Sequence, residues 1–140
     1  MKTRVFYEHR HAPKFDHGTL ALLVRRILRE EGKKSDNINV VLVDDEYLKE
    51  VNKKFLNHDH RTDVISFDVG EDGIIDGEIY VSVDRAIVQA RRYNVSLEKE
   101  ITRLIIHGIL HLSGWDDASR SQKLRMRKRE NVFIEAFCKK

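Results

Sequence analysis

The sequence predicts an α+β fold, a small mixed β-sheet of about four strands packed with about five helices. Three observations lead there. β-rich runs alternate with amphipathic helical runs through the first half of the chain, two β-rich runs then follow one another across a turn-like stretch, and the C-terminal part reads as three successive helices. The 140 residues fit one domain over 1–140, large enough to bury roughly two-thirds of its unfolded surface around one core. No repeat or low-complexity segment interrupts it, and the single proline, Pro13, lies in a short polar connection.

Thr3 to Tyr7 forms the first expected strand. Asp16 then offers an N-cap to a helix whose Leu20, Leu23, Val24, Ile27 and Leu28 share one face before Gly32 stops it. Asn37 to Val43 reads as a strand. Asp44, Asp45 and Glu46 place negative charge at the start of a helix running through Tyr47, Leu48 and Val51 to about Phe55. The runs Asp63 to Val69 and Glu78 to Val83, separated by GEDGIIDG, are expected to make a hairpin with a longish loop. Asp84 is the expected cap of a helix over Arg85 to Tyr93, Ser96 caps another from Leu97 to about Leu112, and a last helix runs from about Ser119 to Cys138.

Composition narrows the function classes. Apolar residues make up 41% and charged residues 35% of the chain, with both signs interspersed, as in a well-hydrated globule. A net charge of +3 biases the molecule mildly toward polyanions without naming one. Cys138 is the single cysteine, so neither an internal disulfide nor a cysteine-based zinc site can form. The N-terminal MKTRVFYEHRHAPKF lacks the apolar core of a signal peptide, and no run approaches the ~20 apolar residues of a membrane span. A cytoplasmic location is therefore expected, with no membrane partner.

The chemistry concentrates at the end of the long apolar helix. His107 and His111 are one turn apart, so their imidazoles leave the same side and can converge on one ion. Gly114 can adopt the left-handed conformation that ends a helix, which turns the chain back and places Asp117 to supply a third ligand. The resulting H-x-x-x-H-x-x-G-x-x-D has the spacing by which metzincin peptidases gather three ligands and leave a position open for water. A peptidase of that type carries its general-base glutamate directly after the first histidine, where this chain has Gly108. Helical histidines often serve only as structural residues bonded to neighbours. The stop glycine and the carboxylate at fixed offsets favour one divalent metal ion, with zinc the preferred identity, at the end of a central helix. Trp115 reads as a packing residue over the turn rather than a stacking platform.

His107-Gly108-x-Leu110-His111-Leu112-x-Gly114, followed by an aromatic and Asp116, resembles the signature of the YbeY family of metal-dependent endoribonucleases. Asn52 to Phe55, Thr62-Asp63-Val64-Ile65-Ser66-Phe67 and Gly77-Glu78-Ile79-x-Val81-Ser82 are similar to further family elements, in the same order. The resemblance implies a single-strand-specific endoribonuclease acting in rRNA maturation and ribosome quality control. It implies rRNA precursor and the ribosomal subunit as partners, with ribosomal or GTPase assembly proteins beside them, and no DNA. It also places the third ligand at Asp117, where relatives commonly carry histidine, so a nitrogen is exchanged for an oxygen. Relatives commonly carry arginine at the position of Leu56. Arg61, beside Thr62, is the candidate to take over phosphate contact and is the catalytic candidate outside the ligand set, against the alternative of an ordinary loop arginine. His58 and His60 are expected to face solvent.

Two other functions compete: a metallopeptidase-like hydrolase, against which Gly108 argues, and a noncatalytic ribosome-assembly protein with a structural metal, which a closed four-ligand shell would mark. Basic residues gather at Arg25-Arg26-Arg29, at Arg91-Arg92 and in Arg120 to Arg129, just beyond the metal turn. Met126, Phe133 and Phe137 put one side of that last helix in the core. Its other side, including Arg125 and Arg129, is either a solvated face or a track for RNA phosphates.

Overall fold

The computed structural model describes residues 1–56 and 62–137. Its elements run β1 (Lys2–Tyr7), α1 (His17–Glu30), β2 (Lys34–Val43), α2 (Asp45–Leu56), β3 (Val64–Asp68), β4 (Ile74–Ser82), α3 (Val83–Tyr93), α4 (Leu97–Leu112) and α5 (Arg120–Phe137). The four strands form one mixed sheet in the order β1-β2-β4-β3, the α+β arrangement the sequence predicts. β1 pairs parallel with β2 and β2 parallel with β4, whereas β3 and β4 make the expected antiparallel hairpin. Among the described residues no helix is long and apolar enough to cross a membrane.

The alternation of side chains along each strand divides the sheet into two faces. One face carries Ile38, Val40, Leu42, Ile75, Ile79 and Val81 into a core with Leu23, Val24 and Ile27 of α1, Ile105, Ile106 and Ile109 of α4, and Met126 and Phe133 of α5. The other carries Val43 and Ile65 against Leu48 and Val51 of α2. α4 is thus central, its isoleucines and leucines buried on nearly every side. Capping is local and legible. Asp16 accepts from Gly18 and Thr19 N–H, Ser96 accepts from Lys99 N–H, and Ser119 exchanges hydrogen bonds with Gln122 in a capping box.

The main differences from expectation are two strand starts, where tertiary pairing overrides the local signal, and the start of α3, where a neighbouring hydroxyl takes the cap. β2 begins at Lys34 rather than Asn37 and β4 at Ile74 rather than Glu78, since Lys34 and Ser35 pair with Ile74 and Ile75 and the Ser35 hydroxyl donates to Ile75 O at 2.8 Å. Val83 opens α3 instead of closing β4, and Ser82, not Asp84, is the cap: its hydroxyl accepts from Arg85 N–H at 3.1 Å. The Asp84 carboxylate is engaged elsewhere, accepting from the first N–H of α2 at Asp45 (2.8 Å) and lying 2.9 Å from His9 Nε2. Partial burial would raise its pKa, but these hydrogen bonds outweigh burial and hold it below the ordinary aspartate value.

Candidate metal centre

α4 delivers His107 and His111 from its last two turns, and the chain then reverses through a Schellman motif. Gly114 N–H donates to His111 O and Trp115 N–H to Leu110 O, both at 3.0 Å, with Gly114 at φ 108°. A side chain at position 114 would strain that backbone. Trp115 packs against the core as expected, and its indole N–H donates to Glu31 at the end of α1 (2.7 Å), which fixes the exit direction of the loop.

The reversal carries Asp117 back to the two histidines. Its Oδ2 lies 3.3 Å from His107 Nε2 and its Oδ1 3.4 Å from His111 Nε2, while the two Nε2 atoms are 3.0 Å apart. Among the described residues these three form a group able to hold a metal ion, with one ligand atom each and all within 4.8 Å of one another. Two imidazole nitrogens and one carboxylate oxygen are donors that divalent ions such as zinc accept, and the separations of 3.0–3.4 Å lie near the edges of about 3.3–3.4 Å around a tetrahedral ion with ligands at about 2.0–2.1 Å. Asp116, the adjacent carboxylate, is exposed and stands outside the group.

Behind His107 lies a buried charged chain that the motif does not announce. His107 Nδ1 is 2.5 Å from Glu130 Oε2, Arg103 Nη1 donates to Glu130 Oε1 at 3.1 Å, and Arg103 also clamps Glu100 through Nε at 3.1 and 3.2 Å. Burial alone would depress the Arg103 pKa, but Glu100 and Glu130 outweigh it and hold the guanidinium more basic than usual. A sequence signal did exist: Glu100, Arg103 and His107 fall at i, i+3 and i+7 on one face of an apolar helix, and Glu130 sits on the core stripe of α5 between Met126 and Phe133.

Two clefts flank the ligand group. One, of about 310 Å³, runs between α2 and the edge strand β3 and is lined by Asn52, Leu56, Thr62, Val64, Ile65, Ser66 and His111. The other, of about 230 Å³, lies between α3, α4 and α5, where Lys123 and Arg127 face His107 and Asp117. Of the basic run on α5, Arg129 is drawn away: it bonds Glu31 (2.9 Å) and Glu30 (3.4 Å) and stacks over Phe133. Arg125 is exposed and bonds Ser121. Leu56, where the family resemblance leads one to expect arginine, lines the first cleft. Arg61, His58, His60 and Cys138 lie outside the described residues.

Comparison with known proteins agrees with the motif resemblance. The family model described as Endoribonuclease YbeY matches residues 6–138. Relatives named Endoribonuclease YbeY include one from Flavobacterium psychrophilum, 40% identical over 114 residues that cover 81% of each chain. Another, from Salinibacter ruber, is 33% identical over 139 residues, covering 92% of this chain and 88% of its own. A solution structure of a Thermotoga maritima protein superposes with a TM-score of 0.63 at 30% identity, covering 95% of this chain and 87% of that one.

Proposed function

The chain belongs to the YbeY family of endoribonucleases, and from that premise we propose that this single domain cuts single-stranded RNA with one divalent ion, zinc by preference, held by His107, His111 and Asp117. The observation that carries the reading is the three-ligand group itself. Among the described residues three donors converge where a closed structural site would use four, a set that suits an ion with a position left for substrate or water. When bound, the ion supplies charge stabilisation at a phosphoryl oxygen and lowers the pKa of water.

The protein's own groups do the rest. Among the described residues, the cleft beside His111 offers hydroxyl and amide groups from Thr62, Ser66 and Asn52 to one side of the RNA. The cleft beside His107 offers Lys123 and Arg127 to phosphate on the other, so the strand crosses the ligand group between them. Arg61, adjoining Thr62, is proposed to contact phosphate as well. We place the enzyme in the cytoplasm, acting on rRNA precursor in the ribosomal subunit during maturation and quality control, with ribosomal or GTPase assembly proteins as docking partners.

The test is a cleavage assay on single-stranded and structured RNA with the purified protein, before and after a strong chelator. Cleavage should vanish on chelation, return with zinc and favour the single strand, while casein stays intact. RNA cleavage that resists chelation, or robust casein hydrolysis, would sink the reading.

Charge reversal on α5 separates the cleft cations from the merely basic surface. Lys123→Glu with Arg127→Glu should weaken RNA binding and flatten its salt dependence, by about 0.7 logarithmic units of slope for each phosphate of a single strand that is no longer neutralised. Arg129→Glu should act mainly on stability, because it breaks the ion pairs to Glu30 and Glu31. Unchanged RNA binding by the Lys123/Arg127 variant at every salt concentration would show the cleft cations to be bystanders.

A further inference from the structure

We infer that Glu130, held in place by Arg103 and Glu100, is a positioning residue that fixes the ring and tautomer of His107 for metal ligation. The inference rests on the reading that His107, His111 and Asp117 hold the ion.

Glu100, Arg103 and Glu130 are all buried, with Glu100 and Glu130 only 2% and 1% exposed. Arg103 already has a two-pronged partner in Glu100, so a buried ion pair is complete without Glu130. Glu130 adds a second carboxylate to one buried guanidinium. Arg127 approaches it only from the half-exposed side, at 3.8 Å. Buried charge is costly unless it is paired. This excess negative charge faces His107, and a cation on the far side of that imidazole would complement it.

A carboxylate only accepts hydrogen bonds, so the contact between Glu130 Oε2 and His107 Nδ1 assigns the ring proton to Nδ1. The lone pair is then on Nε2, the atom that faces Asp117 and His111. Arg103 holds the other carboxylate oxygen at 3.1 Å, so Glu130 cannot rotate without breaking a buried, charge-assisted bond. The chain from Glu100 to His107 therefore spans α4 and α5 and sets a ligand that belongs to α4 alone.

Glu130→Gln tests the idea because Arg103 remains a donor. The glutamine oxygen should turn to Arg103, leaving its NH₂ against His107 Nδ1, and that arrangement favours the opposite tautomer with the proton on Nε2. Zinc affinity, measured by competition with a chromogenic chelator, should fall about 10–100-fold, with the metal-free variant still folded by circular dichroism. A merely structural Glu130 would instead lower the unfolding midpoint and leave zinc affinity at the parental value, which overturns the inference. A second measurement needs no variant: long-range ¹H–¹⁵N spectra of the zinc-loaded parent should show His107 protonated at Nδ1 and ligated through Nε2. Ligation through Nδ1 overturns the inference even if Glu130→Gln fails to fold. If the parent takes up no zinc, the three-ligand reading itself falls, an outcome distinct from parental binding that is indifferent to position 130.

Discussion

Asp117→Ala is expected to abolish tight zinc uptake and, with it, RNA cleavage, while leaving the fold standing. The carboxylate lies beyond the end of α4 on a partly exposed turn, and its close neighbours are the two imidazoles, one per oxygen. Removing it deletes a proposed ligand without opening a cavity in the core. Loss of an outer hydrogen-bonding partner already costs a metal site about 10–100-fold in affinity, so loss of one ligand in three should cost more. Asp117→His restores a third donor, now nitrogen, and should retain or strengthen zinc binding. Asp116→Ala should have little effect, since that side chain is exposed and outside the group. Metal titration of the three variants beside the parent, with folding followed separately, decides the matter. Parental affinity in Asp117→Ala, together with weakened affinity in Asp116→Ala, would move the ligand by one residue.

The parts of this site that could be read in the sequence are those fixed by local geometry. The i, i+4 spacing of His107 and His111, the helix-stopping role of Gly114 and the return of Asp117 all follow from helix period and C-cap chemistry within eleven residues of chain. Glu130 was not legible in the same way. It comes from a different helix and sits in a basic run, RSQKLRMRKRE, where the evident pattern is surface charge. Only the core stripe of α5, which places Glu130 among Met126 and Phe133, marks it as inward-facing. The fold shows the same division. Helix caps at Asp16, Ser96 and Ser119 are set by their own neighbours, whereas the starts of β2 and β4 are set by each other across the sheet. Arg129 is legible as charge but not as partner, because Glu30 and Glu31 lie about a hundred positions away in sequence.

The second large effect is expected at Gly108, and it bears on why the proposed metal clamp would not serve a peptidase. Position 108 is one residue past the first ligand, about 100° around the helix from it, on the side of α4 that presses against the sheet. A Cβ there would lie 2.8 Å from Ile79 Cγ2 and 2.9 Å from Ser66 Oγ, whose hydroxyl donates to Gly108 O at 3.1 Å. The backbone of α4 therefore touches β3 and β4 with no room for a side chain. Alanine has the better helix propensity by about 1 kcal/mol, yet Gly108→Ala should destabilise the protein by about 1–3 kcal/mol through overpacking. Gly108→Glu adds an unpaired carboxylate to the same buried interface and should fail to fold or disrupt the helix-to-sheet packing that aims His107 and His111. Restoring the peptidase glutamate by mutation is thus expected to yield no peptidase. Denaturant unfolding of Gly108→Ala and a peptide-hydrolysis assay of Gly108→Glu check the two steps. A Gly108→Glu protein that unfolds at the parental midpoint and cleaves peptides would show that the sheet yields at this position and that the missing base alone separates the two chemistries.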